Sequence, residues 1–160
     1  MSELHTLERP KDLPKYDAPA AFTAANSVES VHLSYPAGDR NDELRLVQIE
    51  VSPSARESLH YRAPIELGEG AEAKVLVRFA GNCVSAAGVP RSVLLTTTLD
   101  IRLAAHSHLH LYVVSGLSVP YFREAFDRAV LQEGATLEWT TIGFDENSGI
   151  YSANIDLAGA

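Results

Sequence analysis

From Glu43 onward the chain is written in short runs that alternate apolar and polar residues, the period-two signature of strands with one buried face. In Glu43–Val51, Leu44, Leu46, Ile49 and Val51 carry the alternation, which slips once at Val47. Such a slip suits a bulge or a sheet edge. Leu59–Leu67 and Ala73–Ala80 are rich in aliphatic and aromatic residues and flank Gly68-Glu-Gly-Ala71, which predicts two strands and a turn. Arg91–Gly116 predicts two more strands joined at Ala104-Ala-His-Ser107. In the second of these, Leu109, Leu111 and Val113 fall on one face and His106, His108, His110 and Tyr112 on the other. That sheet is expected to be dry on one side and polar on the other.

Phe122–Gln132 supports two readings. Phe122, Ala125, Phe126, Ala129 and Val130 fit a helical stripe, yet the stretch runs into Gln132-Glu-Gly-Ala135 as a strand runs into a turn. A strand from about Ala125, with a helical turn before it, is the favoured expectation. Ala135–Phe144, dense in Thr and aromatics, belongs in a sheet, and the turn residues of 145–149 precede a last strand at 150–157. Within it Glu138 is expected outside and Trp139 inside, filling the core, while Asp127 and Glu133 read as solvated charges.

A phrase repeats at these junctions: an apolar strand end, three small or polar residues, then Ala or Ser. It is read at Val51–Ala55, Leu67–Ala71, Leu103–Ser107, Leu131–Ala135 and Leu157–Ala160, the last copy expected to be incomplete. The leucine-led copies are 36, 28 and 26 residues apart. Such self-similarity marks an array whose units bury a core only by stacking on neighbours. The expectation is an all-β, solenoid-like domain over 42–160, with a small β-sandwich or cupin-like barrel as alternatives. Residues 1–41, with Pro10, Pro14, Pro19 and Pro36, predict a partly extended arm holding one strand near Val31–Ser34.

Composition narrows the function classes. At 160 residues and 46% hydrophobic the chain can bury one ordinary core. A formal net charge of −8 disfavours nucleic acid or an anionic membrane as main partner, because both select for Lys and Arg. No apolar run approaches the ~20 residues that span a bilayer, and the N-terminal residues lack a signal-peptide layout. A cytoplasmic protein is the expectation. A single cysteine, Cys83, excludes an intramolecular disulfide and any all-cysteine metal site within one chain.

Arg128-Ala-Val-Leu-Gln-Glu-Gly-Ala-Thr-Leu-Glu-Trp139, followed by Ile150–Gly159, resembles the core of the SufB/SufD family of iron–sulfur cluster assembly scaffolds. Ser58-Leu-His60 and Ile65-Glu-Leu-Gly-Glu-Gly-Ala71 are similar to an earlier segment of that family, so the resemblance spans roughly 58–160. It implies a right-handed parallel β-helix, used in pairs to hold a nascent cluster shared between subunits. It also implies partners: a second copy or a SufB/SufD-type paralogue, and a SufC-type ATPase. The family's cluster residues and ATPase-docking helices have no matching positions here, so none is carried over.

The candidate ligands are few. His106, His108 and His110, on one strand face, are a candidate metal set, but one flat strand cannot wrap a tetrahedral ion without a ligand from a neighbouring strand or subunit. The bland reading is a solvated β face. Cys83, between Asn82 and Val84, is a candidate thiolate for a cluster or else an incidental thiol; no adjacent cation lowers its pKa. His-x-His also opens the cupin metal motif, but residues 111–118 lack the acid that should follow. Gly-x-Gly-x-x-Gly, Walker and Gly-x-Ser-x-Gly signatures are missing. A scaffold of the iron–sulfur assembly type is therefore expected ahead of a metal-dependent barrel enzyme or a generic β interaction module.

Overall fold

A computed structural model describes residues 29–51, 58–81, 93–117, 121–144 and 148–159. These form ten strands and no helix: β1 (Glu29–Ser30), β2 (Leu33–Tyr35), β3 (Arg40–Glu50), β4 (Ser58–Leu67), β5 (Glu72–Gly81), β6 (Val93–Leu103), β7 (His108–Leu117), β8 (Tyr121–Leu131), β9 (Thr136–Gly143) and β10 (Ser148–Leu157). One sheet has the order β1-β4-β6-β8-β10, with β2 also on β4, and the other runs β3-β5-β7-β9. Every pairing is parallel. Odd and even long strands thus alternate between two sheets, and each strand pair makes one coil of a parallel β-solenoid. A sandwich or cupin barrel is built from antiparallel strands, so those alternatives fall.

The repeated phrase is the turn edge of this solenoid. Tyr35, Leu67, Leu103, Leu131 and Leu157 stand in one continuous register, each followed by a turn. In four coils a hydrogen bond closes the turn from its fourth N–H to its first carbonyl, at 36–39, 68–71, 104–107 and 132–135. The third residue takes a positive φ each time: Gly38 71°, Gly70 64°, His106 56° and Gly134 66°. Type II turns require this conformation at that position, and glycine meets it without a Cβ penalty. Turns also bond to the turns beyond them, Gly70 N to Ala105 O at 2.9 Å and His106 N to Glu133 O at 2.9 Å. The backbone ladder therefore continues round the bend, leaving few unpaired polar groups.

Two sequence expectations shift here. Pro36-Ala-Gly-Asp39 is the first stacked turn among the described residues, so the coils begin ahead of residue 42, and β2 lies close to the strand expected at 31–34. Val51 stands apart from the leucine-led copies: it follows β3 at the opposite edge, where its N–H donates to Ala80 O at 2.8 Å. Residues 52–55 of that phrase lie outside the described residues. The unequal spacing of the copies resides at this second edge, in connectors 51–57, 82–92, 118–120 and 144–147.

Inward columns form the core. Leu59, Tyr61, Ala63, Ile65 and Leu67 of β4 face Ala73, Val75, Val77 and Phe79 of β5, and all are buried. On β3 the register shifts between Arg40 and Leu44; past it Leu44 and Leu46 point outward and Val47 and Ile49 inward. The slip read at Val47 is thus a bulge four to six residues earlier. β8 is strand from Tyr121 onward, with no helical turn, because it pairs with β6 and β10 along its length.

Asp127 differs most from its expected role. It lies on the inward phase of β8 with Arg123, whose guanidinium sits 4.2 Å above the Phe79 ring and donates to Thr97 Oγ1 at 3.3 Å. Burial pushes the Asp127 carboxyl up to about 6, against the opposing pull of the Leu99 N–H and the Arg123 charge. Leu99 N donates to Asp127 Oδ1 at 2.8 Å, at the point where the β6–β8 pairing skips Thr98 and Leu99.

The turn column makes one direct prediction. Gly70→Ala is expected to cost about 1–2 kcal/mol from its left-handed backbone alone, since a Cβ there meets nothing within 4 Å. Gly134→Ala is expected to cost more, because a Cβ at Gly134 would run into the His106 imidazole. The excess should vanish in a His106→Gly background. Thermal unfolding of the four variants checks this; equal losses for both glycines would contradict the stacked-turn account.

Candidate metal centre

The strand period places the site. On β7, Leu109, Leu111 and Val113 are buried, so His108, His110 and Tyr112 stand on the outer face. β9 lies beside β7 in parallel register with Glu138 opposite His110 and Thr136 opposite His108. Leu137 and Trp139 turn inward against the core, half-buried, which sends Glu138 outward. The expected split of the Glu138-Trp139 pair is therefore found, with Trp139 packed on the core rather than sealed within it.

Three side chains converge. His108 Nε2 lies 3.2 Å from Glu138 Oε1, and His110 Nδ1 lies 3.1 Å from Glu138 Oε2. The two imidazoles lean together, with ring centroids 4.3 Å apart at an interplanar angle of 33°. The ligand atoms all lie within 4.8 Å of one another. Both histidines are half-buried and Glu138 is exposed. On the other side of His110, Lys74 is its register partner and donates to Asp42 Oδ1 at 2.7 Å. That hydrogen bond, more than any other cause, holds the Asp42 carboxyl low and the Lys74 amine high.

The site differs from the expected one by a single exchange. His106 does not share the strand face with His108 and His110: it occupies the third position of the turn with its ring toward Gly134. Glu138 supplies the neighbouring-strand ligand that a flat strand lacks. It is also an acid beside His-x-His, delivered from the next coil rather than from residues 111–118. Cys83 lies outside the described residues.

Donor chemistry decides what the triad suits. Iron–sulfur clusters are held by thiolates, with imidazole in a minority role. Two imidazoles and a carboxylate form a nitrogen and oxygen set with no soft ligand, so these residues do not fit a cluster. They suit a single borderline ion or a plain hydrogen-bonded bridge. Other polar contacts on the outer faces include the inter-coil ion pairs Arg62 to Asp100 at 2.8 Å and Arg128 to Asp156 at 3.3 Å.

Fold and face together define a parallel β-solenoid carrying an outward His/His/Glu cluster. No protein-family profile matches the chain, and no curated protein or solved structure matches it either. No helix among the described residues is long and apolar enough to cross a membrane.

Proposed function

We propose that this chain is a β-solenoid scaffold that acts by pairing through the outer edge of β10, in a cytoplasmic assembly of the SufB/SufD iron–sulfur type. One observation carries the pairing. Tyr61, Ile65 and Leu67 are 7%, 0% and 3% exposed, while Tyr151, Ile155 and Leu157, three coils on in the same columns, are 56%, 51% and 67% exposed. The same columns are core in the earlier coils, and the outer edge of β10 has no described neighbour. An unpaired strand edge beside apolar side chains is a template for association.

A second copy is the occupant this edge favours. Asp156 is the one charged residue of β10, and Arg128 engages it, so two β10 edges approach about a twofold axis without like-charge conflict. Light scattering should then show a wild-type dimer at about 100 µM and a monomer for Leu157→Lys. A wild-type monomer at that concentration rejects self-pairing, and recovery of a defined heteromer with a SufB/SufD-type paralogue would reassign the occupant.

The iron–sulfur assignment rests on the strings at 58–71 and 128–159. Its test is anaerobic reconstitution with iron and sulfide, in wild type and Cys83→Ser. A cluster in the wild-type dimer that Cys83→Ser loses supports a shared site. Failure of wild type to retain iron with sulfide removes the cluster from this reading and leaves the scaffold.

A further inference from the structure

We infer that His108, His110 and Glu138 form a mononuclear site for a divalent transition-metal ion of borderline softness, zinc being the representative case. The inference does not rest on the scaffold reading. Zinc bonds imidazole nitrogen and carboxylate oxygen at about 2.0–2.2 Å, which sets tetrahedral ligands roughly 3.3–3.5 Å apart. The two nitrogen-to-oxygen separations are 3.2 and 3.1 Å, so each pair already stands close to coordination spacing. All three ligand atoms lie within a 4.8 Å spread, a span that one ion can bridge.

The backbone under these groups is fixed by packing. His110 and Glu138 are direct register partners, and the residues between the ligands, Leu109 and Leu137, are anchored on the core. The ladder thus holds the ligand-bearing Cα atoms before any ion arrives, which limits the ordering cost of binding. The adjacent cation is also accounted for. Lys74 lies on the far side of His110 with its ammonium bonded to Asp42, so its charge is offset beside the site. Magnesium and calcium, which require several oxygen ligands, are poorly served by two imidazoles. The outward aspect leaves the fourth position to water.

In a simple hydrogen-bonded bridge, Glu138 accepts from both imidazoles and the cluster has no affinity for metal. Tag-free protein, stripped with a chelator and titrated with zinc by calorimetry, separates the two. The expected result is one zinc per chain. His108→Ala and His110→Ala should each weaken binding at least about tenfold and Glu138→Gln about tenfold, with His106→Ala unchanged. Cobalt substitution should give a tetrahedral visible spectrum that His110→Ala loses. Circular dichroism confirms that the variants fold; these outward positions carry no core packing. Absence of zinc binding by wild type at about 1 mM, or unchanged affinity in the His110→Ala variant, would overturn the site. So would loss of binding in His106→Ala as large as in His110→Ala. The Leu157→Lys variant should bind zinc as wild type does. Its failure to do so would place the ligands across a subunit interface and reject the site as drawn.

Discussion

Asp127→Asn is expected to stabilise the fold by about 3 kcal/mol at pH 7 and to leave it nearly unchanged at pH 4. The carboxyl titrates at about 6 in the folded chain against 3.8 as its ordinary value. Between those values the folded state binds a proton that the unfolded state has released. Stability therefore falls as pH rises from about 4 to 6, at 1.36 kcal/mol per unit of pKa difference. Asparagine resembles the protonated acid, and its Oδ1 can still accept from Leu99 N. Since whole domains hold only ~5–15 kcal/mol, this is a large share. Urea unfolding of both proteins across pH 4–7 makes the comparison, because every other titrating group cancels in the difference. A difference that stays flat with pH would show that Asp127 does not pay the desolvation assigned to it.

Leu111→Ala should cost about 2–5 kcal/mol, against less than about 1 for Tyr112→Ala on the next residue. Leu111 is fully buried between Val75 and Trp139 in adjacent coils, whereas Tyr112 points outward and is partly exposed. In a solenoid each coil is stabilised mainly by its two neighbours, so a cavity at this central strand loosens both interfaces. The denaturation midpoint should fall with the slope retained. Comparable losses at 111 and 112 would contradict the face assignment of β7.

The two faces of β7 and the burial of β4 and β5 were legible because strand periodicity is local: Leu109, Leu111 and Val113 announce their side within five residues. His106 misled for the same reason. It is in phase with His108 and His110, and alternation alone does not mark where a strand begins. Its position in the phrase does, since it stands where Gly70 and Gly134 stand. Glu138 and Asp127 are long-range features with no local mark. Yet the 28-residue spacing between Leu103 and Leu131 carries His110 onto Glu138 and the buried Leu99 onto Asp127. Pro36–Asp39 escaped because Tyr35 replaces the leading leucine and Asp39 the closing Ala or Ser.

The contrast between the two edges has a consequence for how the chain tolerates change. Side-chain phase is reset at the constant four-residue bends, so residues added to the opposite rim lengthen a coil without turning any later side chain inside out. Connector 82–92, the longest between described strands, is accordingly the natural graft point of the fold. A peptide inserted there would leave the inward columns and the His108/His110 face as they are. The same insertion at 104–107 would put every following coil out of step with its neighbours.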